Sequence, residues 1–132
     1  MGERYIFERK ETVLVVEDEE VVRNLSEKLM NQYGYNLVIA IDGQQDLDVY
    51  TEQKKDIDLV LLDMSMPNMS GKMVLEKMIQ IDPEVRVIIS SAYSRQDICE
   101  EILLQSKEII YKPYCIKDFI EKVRRVLDIK PD

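Results

Sequence analysis

Five polar side chains that could handle a metal ion and a phosphoryl group follow apolar runs of the chain. Glu17 and Asp18 come directly after one apolar run, Asp63 ends another, and Ser91 and Lys112 follow two later runs. Three carboxylates brought together repel one another, and Mg²⁺ would remove that conflict because it binds a few carboxylates together with waters. An aspartate beside Mg²⁺ is a competent nucleophile towards phosphorus. A lysine and a hydroxyl would then offset charge on the phosphoryl oxygens.

Taken one at a time, these residues have ordinary structural explanations. An aspartate after a strand, such as Asp63, often caps a helix, and a pair such as Lys112-Pro113 is common in turns. A hydroxyl such as that of Ser91 often satisfies nearby backbone groups. The functional interpretation therefore depends on whether the fold brings these side chains together.

Five short apolar segments predict the strands that would position them. Segments that are apolar throughout are typical of strands covered on both faces, as in a parallel sheet. The predicted strands are Thr12–Val16, Asn36–Ala40, Asp58–Leu62, Val85–Ile89 and Glu108–Tyr111.

Apolar residues at helical spacing lie between and after these strands and predict five helices. Their markers are Val22, Leu25 and Leu29; Leu47 and Tyr50; Val74, Leu75 and Met78; Ile98 and Ile102; and Ile116, Phe119, Ile120, Val123 and Leu127. Alternating strands and helices predict an α/β fold, a doubly wound five-stranded parallel sheet. Ligands of such sheets bind beyond the carboxyl ends of the strands, so we expect the five polar residues at one edge.

The composition of the chain limits the classes of protein to which it can belong. The chain has 132 residues, one ordinary domain, and 26 acidic against 18 basic residues give a net charge of −8. That excess argues against nucleic acid as a direct partner, because phosphates would be repelled. With no histidine, zinc fingers and Ser-His-Asp triads are excluded. We expect reduced thiols at Cys99 and Cys115.

Two further expectations concern location and the remaining acids. The charged start of the chain is unlike a signal peptide, and no run of about 18 apolar residues could span a membrane, so we expect no membrane association and a cytoplasmic protein. We also expect the acids around the second helix to form a solvated face: Asp42, Asp46, Asp48, Glu52 and Asp56.

Four segments together resemble the receiver domain of two-component response regulators. They are Val13–Glu19, Leu61–Pro67 with Gly71, Ser90–Ala92, and Lys112–Tyr114. The resemblance covers about residues 11 to 129 and implies the (βα)5 flavodoxin-like receiver fold. We therefore expect an N-terminal extension at 1–11, a receiver domain at 12–129 and a tail at 130–132.

The resemblance implies a role for each site residue. Asp63 would be the phosphoacceptor, taking a phosphoryl group from a histidine kinase or a histidine phosphotransfer protein. Ser91, at the switch position, and Lys112 would contact the phosphoryl oxygens. The chain would be a phospho-accepting signalling domain of a phosphorelay, catalysing only its own Mg²⁺-dependent phosphorylation and dephosphorylation. The ligands of Mg²⁺ would be Glu17, Asp18, Asp63 and the backbone carbonyl of Ser65.

The chain departs from the family pattern in two places. Glu17 stands where aspartate is common, and Ile109 stands at the usual aromatic switch position. The aromatic residues near the site are instead Tyr111 and Tyr93, and either could act as the switch. Alternation along a strand predicts that Ile109 and Tyr111 share one face.

The segments around Ser90 and Lys112 are most similar to receivers of hybrid sensor kinases. By this resemblance the chain is either a stand-alone relay receiver or one cut from a longer protein. The last two predicted helices would provide a surface for a homodimer. The basic residues of the last helix are either a solvated face or part of that partner surface: Lys117, Lys122, Arg124 and Arg125.

Other functional classes fit the sequence less well. Phosphatases with an aspartate nucleophile need a second acid two residues further on, and Ser65 stands there. A phosphate-binding glycine loop is excluded because acids occupy residues 17–20 after the first strand. A receiver-like interaction module that phosphorylation does not regulate is the main alternative, although neither an acid nor the lysine is missing.

Overall fold

Five parallel strands form the central sheet in a computed structural model, which describes residues 11–64, 69–91, 106–111 and 115–128. The strands lie in the order β2-β1-β3-β4-β5, so the order reverses at the centre, between β1 and β3. This arrangement confirms the predicted doubly wound parallel sheet. The strands are β1 (Thr12–Val16), β2 (Asn36–Ala40), β3 (Leu59–Asp63), β4 (Val87–Ser91) and β5 (Glu108–Tyr111).

Helices cover both faces of the sheet. Within the described ranges these are α1 (Glu20–Gln32), α2 (Gly43–Gln53), α3 (Gly71–Ile81) and α4 (Ile116–Leu127). One core cluster contains the buried side chains of α2 and α3, and a second contains those of α1 and α4. The helix predicted around Ile98 and Ile102 lies outside the described residues.

The register of the strands brings their carboxyl ends to one edge. Val16 of β1 pairs with Leu62 of β3, and Asp63 pairs with Ser90 of β4. Ser91 in turn pairs with Tyr111 at the end of β5. Because all five strands are parallel, the residues that follow them emerge on the same side of the molecule.

Local capping determines where several helices begin and end. The Asp42 side chain accepts a hydrogen bond from the Gln45 N–H at 2.8 Å at the start of α2. The Ser70 hydroxyl accepts one from the Met73 N–H at 3.2 Å at the start of α3. After α1 the chain turns at Gly34, whose φ of 84° favours glycine.

The core-facing side of two helices differs from the sequence prediction. Leu25 was expected to face the core but is 43% exposed, and α1 instead buries Ser26, Leu29 and Met30. Ile116, the first residue of α4, is 51% exposed. A polar Ser26 within the buried side hides the true direction of α1 from a hydropathy pattern.

Asp46 corrects the expectation of a fully solvated acidic face around α2. Its side chain is 0% exposed, because the buried side of α2 comprises Gly43, Asp46, Leu47 and Tyr50. This side packs closely on α3, since a Cβ added at Gly43 would lie 2.7 Å from Cγ2 of Val74. The carboxylate therefore stands within an apolar stripe at helical spacing.

The basic side chains of α4 do not form a simple solvated face. Lys122 donates to the Ile109 carbonyl of the edge strand β5 at 2.7 Å, and Arg125 bonds to Glu108 at 2.9 Å. Arg124 forms ion pairs with Glu11 and Asp128. Lys122, Arg124 and Arg125 thus connect α4 to the sheet and to the segment before β1, and their charged groups are hydrogen-bonded or ion-paired within the domain.

None of the helices in the described ranges combines the length and the apolar character needed to cross a membrane. Cys115, just before α4, is exposed and carries a free thiol. Cys99 lies outside the described residues.

Candidate functional site

Three carboxylates predicted to cooperate do meet at the centre of the carboxyl edge. Glu17, Asp18 and Asp63 each contribute one carboxylate oxygen to a group whose oxygens all lie within 4.8 Å of one another. Asp63 ends β3, and the acid pair follows the neighbouring strand β1. Glu17 and Asp63 are 2% and 1% exposed, while Asp18 is half-buried. The group therefore combines two acids that are shielded from solvent with one that is partly exposed to it.

The donor set fits a magnesium ion. Mg²⁺ takes octahedral oxygen ligands at about 2.0–2.1 Å, which places neighbouring ligand oxygens about 3 Å apart and opposite ones about 4 Å apart. Three carboxylate oxygens within 4.8 Å of one another are compatible with those separations. A dication would also remove the mutual repulsion of the three acids.

The turn between β1 and α1 holds the acid pair by its backbone. The guanidinium of Arg23 donates from Nη1 to the Glu17 carbonyl at 3.1 Å and to the Asp18 carbonyl at 2.7 Å. The Glu19 N–H donates to Oε2 of Glu17 at 3.3 Å. The Glu17 N–H donates to the carbonyl of Ala40 in the neighbouring strand at 3.0 Å.

Sequence reasoning missed Arg23. Its signal was present, because it is the first basic residue after the acidic run 17–20 and the fourth residue of the helix that begins there. An arginine in such a position can reach back to the loop carbonyls.

The end of β3 is fixed from two sides. The Met64 N–H donates to the Ser90 carbonyl at 3.0 Å, which continues the pairing with β4 beyond Asp63. On the other side, α3 begins so close that a Cβ added at Gly71 would lie 2.5 Å from Sδ and 2.9 Å from Cα of Met64. Glycine at this position lets the helix approach the residue that follows Asp63.

The structure also brings Ser91 to this edge. It ends β4, is 0% exposed, and follows Ser90, the register partner of Asp63. Its neighbour across the sheet is Tyr111, the last residue of β5. Ser91 therefore lies at the carboxyl edge of β4, between the strand that carries Asp63 and the outer strand β5.

Ile109 and Tyr111 share one face of β5, as predicted. Both belong to, or pack on, the core cluster of α2 and α3, whereas Ile110 belongs to the opposite cluster. The Tyr111 hydroxyl is buried, and no hydrogen-bond partner for it is found in the described part of the chain. Three predicted site residues lie outside the described residues: Ser65, Tyr93 and Lys112.

Comparison with known proteins identifies the family. The family described as "Response regulator receiver domain" matches residues 13–124. Sporulation initiation phosphotransferase F of Bacillus subtilis is 37% identical over 125 residues, which is 91% of this chain and 96% of that protein. Its name supports a phosphotransfer role for that relative.

Solved structures agree. In the CheX–CheY–BeF3–Mg²⁺ complex from Borrelia burgdorferi, a chain superposes with a TM-score of 0.85 at 28% identity, over 91% of this chain and 90% of that one. The receiver domain of the hybrid histidine kinase CckA superposes with a TM-score of 0.75 at 29% identity, over 89% and 99%.

The sequence motifs, the fold and the geometry of the site thus indicate the same family. The acidic group fits a magnesium ion and an aspartate phosphorylation site. Receiver domains are signalling domains that interact with histidine kinases and phosphotransfer proteins. The chain belongs to the response regulator receiver domains of two-component signal transduction.

Proposed function

We propose that this chain accepts a phosphoryl group on Asp63 from the phosphohistidine of a kinase or phosphotransfer protein. The observation that carries the proposal is the meeting of Asp63 with Glu17 and Asp18 where the strand order reverses. Parallel α/β sheets bind ligands at this point. The carbonyl of Ser65 is the proposed fourth protein ligand of Mg²⁺, by resemblance to the family.

The reaction is a displacement at phosphorus. A carboxylate oxygen of Asp63 forms the new O–P bond while the P–N bond to the donor imidazole breaks and its electron pair stays on the nitrogen. Bound Mg²⁺ would neutralise charge on the phosphoryl oxygens. Glu17 and Asp18 would hold the metal beside the acceptor, and burial of Asp63 would limit its carboxylate to few orientations.

Two further residues would stabilise and report the phosphorylated state. The Ser91 hydroxyl is proposed to donate a hydrogen bond to a phosphoryl oxygen, with Lys112 as the cation that contacts another. Support for Ser91 comes from its burial and its place one residue beyond Ser90, the register partner of Asp63. Its pairing with Tyr111 offers a route to the outer strand. We propose Tyr111 as the aromatic switch; Tyr93 is the alternative.

The test is intact-mass spectrometry of the protein after incubation with Mg²⁺ and acetyl phosphate. We expect the mass to increase by one phosphoryl group, and we expect no increase when EDTA removes the metal. Asp63→Asn should abolish the increase because a neutral amide replaces the nucleophilic carboxylate. Asp48→Asn, on the exposed side of α2, is the matched control and should be phosphorylated normally.

Two outcomes would contradict the proposal. Phosphoryl label that survives in Asp63→Asn would exclude Asp63 as the acceptor. A folded wild-type protein that takes no label from acetyl phosphate or from a phosphohistidine protein would favour the alternative, an interaction module that phosphorylation does not regulate.

A further inference from the structure

Arg23 makes an unusual contact with the acidic site. It lies on α1, five residues after Asp18, and its guanidinium donates to two successive backbone carbonyls, those of Glu17 and Asp18, at 3.1 and 2.7 Å. Among the described residues it makes no ion pair with a carboxylate. Its side chain therefore acts on the backbone that carries the acids.

These two hydrogen bonds restrict the direction of both acids. Fixing consecutive carbonyls fixes the peptide planes on either side of Asp18, and hence the direction in which the two side chains leave the backbone. The N-cap residue of α1, Glu19, makes no side-chain capping bond. The turn that presents the acid pair is held instead by hydrogen bonds that include those donated by Arg23, the bond from the Glu19 N–H to Glu17 and the bond from the Glu17 N–H to Ala40.

The positive charge of Arg23 would weaken Mg²⁺ binding, whereas its hydrogen bonds would favour it. A guanidinium close to the site repels a divalent cation, so on electrostatic grounds alone its removal would tighten Mg²⁺ binding. Its hydrogen bonds hold the ligands in the arrangement that binds the metal, so on geometric grounds its removal would weaken binding. The sign of the change in affinity therefore separates the two effects.

We propose that Arg23 is a positioning residue for the metal site, which fixes the β1–α1 turn so that Glu17 and Asp18 converge with Asp63. This inference rests on the proposed function, because it assigns Mg²⁺ to the three carboxylates. It adds a residue that touches neither the metal nor the phosphoryl group.

The test is calorimetric titration of Mg²⁺ into the Arg23→Met variant, whose side chain keeps an apolar stem but loses the donors and the charge. We expect the affinity to fall about tenfold, as is typical when partners that orient metal ligands are removed. Lys28→Met is the matched control, because it removes the same charge from an exposed position on the same helix and should leave the affinity nearly unchanged. Unchanged or tighter binding in Arg23→Met would overturn the proposal.

Further measurements separate positioning from general stability. The phosphorylation rate of Arg23→Met with acetyl phosphate should be low at limiting Mg²⁺ and return towards the wild-type rate at saturating Mg²⁺. A rate that stays low at saturating Mg²⁺ would contradict a role through metal binding. A second variant, Arg23→Lys, keeps the charge and offers one nitrogen that can donate to both carbonyls, as Nη1 does, so it should bind Mg²⁺ more tightly than Arg23→Met. An affinity equal to or below that of Arg23→Met would overturn the proposal.

The outcome is distinguishable from failure of the proposed function. If Asp63 is not the acceptor, either the Asp63→Asn variant still takes the label or the wild type takes none, whatever Arg23 does. If only the Arg23 inference fails, the wild type binds Mg²⁺ and is phosphorylated on Asp63, while Arg23→Met binds the metal as tightly as the wild type.

Discussion

Two arginines at opposite ends of the sheet contact acidic residues in different ways. Arg124, near the amino end of β1, bonds directly to the carboxylates of Glu11 and Asp128 at 2.8 and 2.7 Å. It also donates to the Tyr35 hydroxyl at 3.2 Å. Arg23, at the carboxyl end, bonds to the carbonyls that carry the acids rather than to their side chains.

The difference separates acids that stabilise the fold from acids that serve the site. The hydrogen bonds that Arg124 donates to Glu11, and then to Asp128, raise the pKa of its guanidinium above the ordinary value, as expected for a cation shared by two carboxylates. At the other end the arginine orients the acids and leaves their side chains directed at one another and at Asp63. Acids neutralised by an arginine would be poor ligands for a dication.

Asp46 sharpens this comparison because, among the described residues, no arginine contacts its carboxylate or its backbone carbonyl. Both of its carboxylate oxygens are buried and lack a hydrogen-bond partner within the described ranges. Burial raises the pKa of this carboxyl from 3.8 to about 7. The unfolded chain ionises it from about pH 4, whereas the folded protein keeps it protonated until about pH 7, so the free energy of unfolding falls as pH rises through that window.

The largest predicted effect follows from Asp46→Ala. The wild type should lose roughly 3 kcal/mol of unfolding free energy through this group between about pH 5 and pH 8, and the variant should not. Urea unfolding at both pH values measures the difference. Asp48→Asn, on the exposed side of the same helix, should follow the wild type. A variant with the same pH dependence as the wild type would show that the carboxylate has a partner in solution.

Arg124→Met should have the next largest effect. It leaves Glu11 and Asp128 without their shared cation, and we expect the free energy of unfolding to fall by about 2 kcal/mol. Mg²⁺ affinity should not change, because this arginine is at the other end of the sheet from the metal site. Arg125→Met is the control: its pair with Glu108 involves a 63% exposed arginine side chain, and such pairs contribute about 0–1 kcal/mol. A weaker Mg²⁺ affinity in Arg124→Met would contradict the separation between acids that stabilise the fold at one end of the sheet and acids that serve the metal site at the other.

Asp18→Asn should have the smallest effect on stability and one of opposite sign. Relief of carboxylate repulsion should raise the free energy of unfolding in EDTA by about 1 kcal/mol. Added Mg²⁺ should stabilise the wild type and have little effect on the variant, because binding to the folded state alone raises stability. Thermal unfolding with EDTA and with Mg²⁺ tests both statements. Equal stabilisation of both proteins by Mg²⁺ would exclude Asp18 as a ligand.

Much of the fold and the centre of the site could be predicted from the sequence. The strands are short, apolar and regularly spaced, so the sequence predicts β1, β2 and β5 with the bounds that the structure has. The edge that carries Asp63 follows from the α/β pattern. Helical spacing also predicted the buried side of α3, with Val74, Leu75 and Met78.

The remainder depends on tertiary packing that hydropathy does not encode. Asp46 and Ser26 are polar residues at fully buried positions, so an apolar pattern assigns both to the wrong side of their helices. Arg23 was missed because its partners are backbone carbonyls, and only its position after the acidic run 17–20 indicates them in the sequence. The sequence predicts Lys122 and Arg124 to be solvated or to face a partner. Their actual contacts, a hydrogen bond to Ile109 and an ion pair with Glu11, join residues that are distant in the sequence.

The most direct test of the central claim is to locate the phosphoryl group on the chain. Borohydride reduces an aspartyl phosphate to homoserine, and peptide mapping of the protein reduced after phosphorylation with Mg²⁺ identifies the residue. The account predicts homoserine at position 63 alone, and none when EDTA is present. Homoserine at position 18, at another aspartate, or at no position in a phosphorylated sample would contradict it.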